Sequence, residues 1–198
     1  MQISQTAINI PTSGNLQLDS TNIDLPVVIA TSTISSDTSV SFSGWSTVFK
    51  KIIVEFDEVV TATDSVYITL TLGESSEDTG SNYSQSLTMR GFNGSSYLFA
   101  RNVGLSASNL FINTNDASAS LGTGTGENFS GRLEINSVRS TTNYKLVSGM
   151  TLNYGSSPQV AYNMICGTYK STSVVNFLKI QASSGNLASG AIKLLGVR

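Results

Sequence analysis

Short apolar runs recur along the chain, some alternating with polar residues and some continuous, separated about every ten residues by clusters of Ser, Gly and Asn. The runs are rich in Val, Ile, Thr, Tyr and Phe, the residues that suit a pleated, half-buried surface. They predict strands over residues 27–34, 49–56, 66–72, 83–89, 97–101, 110–113, 129–136, 144–152, 160–169, 174–180 and 191–195. No window keeps a helical period over three turns, and the frequent Gly, Ser and Thr weaken any helix. The pattern is that of an all-β chain, an antiparallel β-sandwich.

Individual runs predict which faces are covered. Phe49, Ile52, Val54 and Phe56 share a run with Ile53, so that strand is expected to be buried on much of both faces. Val66, Ile68, Leu70 and Leu72 alternate with Tyr67, Thr69 and Thr71, which predicts a half-exposed strand. Phe129, Gly131, Leu133 and Ile135 alternate with Ser130, Arg132, Glu134 and Asn136 in the same way. Two sheets, each with one inner face, account for these patterns. Residues 1–25 differ: Ile3, Ile8, Ile10, Leu16 and Leu18 are spaced apolar positions among Ser, Thr, Asn and Gln. They suit an extended N-terminal arm docked on a neighbour, the alternative being a first strand folded onto its own domain. Pro26 marks the boundary, with the sandwich over residues 26–198.

Composition narrows the setting. Charged residues make up 12% of the 198, roughly half the usual share, and the formal net charge is −2. Ser, Thr and Asn supply about a third of the chain. Such a polar but uncharged surface suits permanent assembly better than life as a dispersed monomer. The basic residues are scattered, so binding to nucleic acid by phosphate neutralisation is not expected. Cys166 is the sole cysteine, which excludes an intrachain disulfide, and its run Met164-Ile165-Cys166 reads as core. The first residues carry no basic or long apolar stretch, so neither a secretory signal nor a membrane span is expected, and synthesis and assembly are placed in the cytoplasm.

Candidate chemistry is sparse. The chain has no histidine, the commonest general base and transition-metal ligand. What remains is a carboxylate pair of the glycosidase kind, and no such constellation is recognisable. Glu74, Glu77 and Asp78 crowd one Gly/Ser-rich connection but match no calcium loop, and a solvated hairpin tip is the expectation. Gly122-Thr123-Gly124-Thr125-Gly126 lacks the spacing of a phosphate loop and reads as a turn. The Asn-X-Ser triplets at Asn82, Asn93 and Asn128 are expected by chance in so Ser-rich a chain. Trp45, Tyr83, Phe92 and Tyr97 suit either stacking on a glycan or receptor, or packing in core and subunit contacts; the second reading takes precedence. No metal or other cofactor is expected.

Residues 45–198 also carry a resemblance. Its parts are the aromatic-led run Val48-Phe49-Lys50-Lys51-Ile52-Ile53-Val54-Glu55-Phe56-Asp57-Glu58-Val59, then Ala62-Thr63-Asp64-Ser65 and the alternating run 66–72. Ser81-Asn82-Tyr83-Ser84 and Ser130-Gly131-Arg132-Leu133-Glu134-Ile135-Asn136 follow, and the ending is Ser183-Ser184-Gly185-Asn186-Leu187-Ala188-Ser189-Gly190-Ala191-Ile192-Lys193-Leu194-Leu195-Gly196-Val197-Arg198. The stretch resembles a domain recurrent in bacteriophage tail-fibre and other virion proteins, with Leu195 where those proteins usually carry tyrosine. The resemblance implies a jelly-roll-type sandwich and a non-enzymatic virion role, as a capsid decoration or cement subunit or as a tail fibre or adaptor subunit. The partners it implies are other virion proteins and further copies of the chain, as a trimer. The alternative is a receptor- or carbohydrate-binding module of a phage fibre, whose partner is a host surface glycan. Under either reading the chain is assembled in the host cytoplasm and resides in the virion, with neither nucleic acid nor membrane as a partner.

Overall fold

The computed structural model describes residues 25–92, 94–114, 120–155 and 159–198, so the arm residues Ile3, Ile8, Ile10, Leu16 and Leu18 lie outside the described part. The described residues form strands and no helix: β1 (Val27–Thr33), β2 (Val40–Ser43), β3 (Lys51–Thr61), β4 (Ile68–Gly73), β5 (Tyr83–Phe92), β6 (Tyr97–Ala107), β7 (Leu110–Phe111), β8 (Asn128–Asn136), β9 (Lys145–Gly155), β10 (Gln159–Tyr169), β11 (Phe177–Ala182) and β12 (Leu187–Val197). They pair antiparallel throughout, in an eight-stranded sheet of order β1-β12-β3-β8-β9-β10-β5-β6 and a four-stranded sheet of order β2-β11-β4-β7.

Alternation sorts the side chains between the faces. Ile52, Val54, Phe56, Leu133, Ile135, Ile192 and Leu194 from the large sheet meet Val40, Phe42, Ile68, Leu70, Leu72, Leu178 and Ile180 from the small one in a single buried cluster. Phe56 and Phe129 pack edge to face in it, ring centroids 5.1 Å apart. The all-β, sandwich-like arrangement of two sheets agrees with the sequence pattern.

Several expectations need correction. β4 is buried on both faces rather than half-exposed, because short Thr69 and Thr71 sit between longer cross-strand neighbours, Phe111 and Gln181 beside Thr69 and Lys179 beside Thr71. Lys179 is fixed over this face by a 2.6 Å ion pair with Glu77. β2 was not anticipated, since its four residues lie in a Ser/Thr-rich stretch with two apolar positions. β6 runs on to Ala107 and β7 is only a two-residue pairing. Cys166 is exposed, not core, because Ile165 takes the inward position and its two neighbours therefore face out. The expectation for β3 holds, with Ile52, Ile53 and Val54 all buried.

The end of the chain is tightly specified. β12 lies between β1 and β3, and a side chain at Gly196 would run into the ring of Phe49. Gly190 takes φ +107 where the register with β3 shifts, a conformation that suits glycine.

Candidate functional site: the outer face of β9, β10, β5 and β6

Three strands of the large sheet carry polar side chains into the interior, among apolar ones such as Leu87, Met89, Val147 and Ile165. Thr151 and Asn153 of β9, Asn163 of β10 and Gln85 of β5 point inward and are buried. Their partners give the reason. Thr151 donates to the Ile112 carbonyl at 2.7 Å, the Phe111 and Thr114 N–H groups donate to Gln85 and Asn163 at 2.6 and 3.1 Å, and Asn163 also donates to Asn153 at 3.0 Å. The chain passing under these strands after β7 is irregular, so its buried backbone groups need side-chain partners.

Further apolar residues face out, mostly on β9, β10 and β6, while β5 offers mainly polar ones. The register places Tyr154, Val160, Phe92 and Tyr97 in one row across β9, β10, β5 and β6. The next row holds Leu152, Tyr162, Arg90 and Phe99, and the one after it Met150, Met164, Thr88 and Arg101. Ser148, Cys166, Ser86 and Val103 follow, then Leu146, Thr168, Ser84 and Leu105. Among the described residues, the outward positions of these strands carry two charges, Arg90 and Arg101. Eleven large apolar side chains on this face are exposed, Tyr97 at 92% and Leu105 at 80% the most.

Tyr162 stands between two shallow grooves, one of ≈ 450 Å³ along Arg132, Met150 and Leu152 and one of ≈ 470 Å³ along Arg90 and Met164. The outer face of β3, β8 and β12 differs in kind. It carries the ion pairs Lys51–Glu134 at 2.7 Å, Arg132–Glu134 at 3.3 Å and Arg132–Glu55 at 3.7 Å. The hydrogen bond and charge of Lys51, helped by Arg132 against the cost of burial, hold the Glu134 carboxyl below its usual range.

The aromatics singled out from sequence divide. Phe92 and Tyr97 meet on this face with ring centroids 5.5 Å apart. Trp45 and Tyr83 are buried in the core, where Tyr83 stacks on Tyr169 at 4.9 Å. Tyr83 accepts from the Leu72 N–H and donates toward the Leu72 and Asp78 carbonyls, and burial raises its phenol. Tyr169 donates to Asp78 at 2.7 Å; burial, with that bond, pushes its phenol up to about 12. Burial works to raise the Asp78 carboxyl, but hydrogen bonds from Tyr169, Asn82 and the Gly80 N–H outweigh it and hold the group low.

The acidic loop passes from β4 in the small sheet to β5 in the large one rather than closing a hairpin, and two of its three acids are structural anchors. Glu77 holds Lys179 and Asp78 holds Tyr169, and among the described residues no cluster of three metal-ligating side chains occurs. The glycine run near residue 124 closes a turn, with Glu127 capping the Gly124 N–H at 2.7 Å. Lys145 is a buried cation that sequence reasoning missed. It donates to the Ser140 and Asn143 carbonyls at 2.7 and 3.2 Å, and burial lowers its pKa.

Neither a family model, nor a curated protein, nor a solved structure matches the chain.

Proposed function

We propose that this chain is a non-enzymatic structural subunit of a bacteriophage virion, a capsid decoration or cement protein or a tail fibre or adaptor subunit, whose work is to bury surface against its neighbours as a homotrimer. The observation that carries the reading is the apolar outer face of β9, β10, β5 and β6, larger than a dispersed monomer normally exposes. Buried Thr151, Asn153, Asn163 and Gln85 add to it, because polar side chains have gone to the interior of these strands while large apolar ones stand on the outer face.

A jelly-roll-type fold is part of this proposal. Two strand quartets support it, β1-β12-β3-β8 and β2-β11-β4-β7, between which the chain alternates. In that scheme β5–β6 and β9–β10 are two hairpins inserted into an eight-stranded core, and the apolar face lies on the insertions. Residues 1–24 serve in this scheme as an arm that docks on a neighbouring subunit. The test is to purify particles from cells that carry the gene and quantify the chain in them. Stoichiometric incorporation, lost on removing residues 1–24 from a still-folded chain, is the expected result; absence from the particles overturns the virion role.

A second reading, a carbohydrate- or receptor-binding module, draws on the exposed Phe92–Tyr97 pair beside the turn at Gly94. Saturable binding on a glycan array, abolished by Tyr97→Ala, would establish it.

A further inference from the structure

We infer that the β9, β10, β5 and β6 face is covered by further copies of the same chain, each turning the same four strands toward the axis of the proposed trimer. This rests on the reading of the chain as an assembling subunit and names the surface and its occupant.

Area favours further copies of the chain. Eleven large apolar side chains, each at least 40% exposed, present on the order of 1,000 Å². A stable pairing needs roughly 800 Å² from each partner, and obligate interfaces between like subunits are the larger and more apolar class. One side of such a contact is therefore already present on each copy. Composition points the same way. A partner selected by charge would need to answer Arg90 and Arg101 alone, whereas a second copy offers apolar surface to apolar surface and thioethers to rings. Tyr97, Phe99 and Leu105 lie on the edge strand β6, the most exposed part of the face and the part with least cover from its own chain.

The test uses the purified full-length chain. Light scattering across a wide concentration range should give a particle mass well above that of the single 20.9 kDa chain, three times it for the proposed trimer. The double variant Leu152→Glu with Met164→Glu places charges at half-exposed positions, so it should keep the strand-rich circular dichroism spectrum while its self-affinity drops roughly a hundredfold or more. Ser41→Glu, on the exposed outer side of the small sheet, should leave the mass unchanged. A wild-type chain that is monomeric throughout overturns the inference and assigns the face to a different chain. Dissociation by Ser41→Glu but not by the double variant overturns it as well. A monomer still found in particles leaves the virion reading standing, and a self-associating chain absent from particles removes that reading alone.

Discussion

At the scale of single residues, the molecule spends polar side chains inside and apolar ones outside in the same two strands. Thr151 and Asn163 are buried because the irregular chain beneath them needs partners, Asn153 accepts from Asn163, and Met150, Leu152, Tyr154, Val160 and Met164 are displaced to the outer face by alternation. Replacing Thr151 by Val leaves the Ile112 carbonyl without that donor, and we expect a loss of about 1–2 kcal/mol in urea unfolding with faster amide exchange around residues 110–114. The Tyr169–Asp78 bond supplies a pH test. Asp78 is held below its ordinary 3.8, so its contribution is present above that value and lost as pH falls through the folded one. Tyr169→Phe should cost about 1 kcal/mol at neutral pH, discounted because the carboxyl is partly exposed. The gap to wild type should close in unfolding curves taken below the ordinary carboxylate range.

At the scale of elements, the strands built on Val/Ile-rich alternation were legible because covering one face is enough to set their pattern. Ten of the expected runs overlap β1, β3, β4, β5, β6, β8, β9, β10, β11 and β12, though those for β6 and β12 cover less than half of each strand. β2 was not legible, since Val40 and Phe42 supply only two inward positions in a Ser-rich stretch. Nor was the cover on Thr69 and Thr71, which comes from residues distant in sequence. The outer face was half legible: Phe92 and Tyr97 were noted, but β9 and β10 were expected as ordinary strands. The overlooked signal was that Met150, Leu152 and Tyr154 occupy one parity while Thr151 and Asn153 stand on the other. The close of the chain offers an element-level prediction. Gly196→Ala should force β12 off the Phe49 ring and lower stability by about 1–3 kcal/mol, read as a lower urea midpoint with an unchanged slope. An unchanged midpoint would mean that this contact is not tight in solution.

At the scale of the whole molecule, most ion pairs among the described residues lie on β3, β8 and β12, with Lys179–Glu77 on the small sheet, and the outer face of β9, β10, β5 and β6 is left almost without charge. Association through the latter face should therefore be little affected by salt, unlike one steered by opposite charges. The lone cysteine reports on this face directly, since Cys166 lies in the row between Ser148 and Ser86, next to that of Met150 and Met164. In the dispersed chain its thiol is open to solvent. The measurement closest to the central claim is the rate at which a charged thiol reagent modifies Cys166 in the assembled protein, compared with the Leu152→Glu, Met164→Glu variant. Burial of the face predicts modification slower by roughly tenfold or more in the assembly; equal rates in an assembly of proven mass would contradict it.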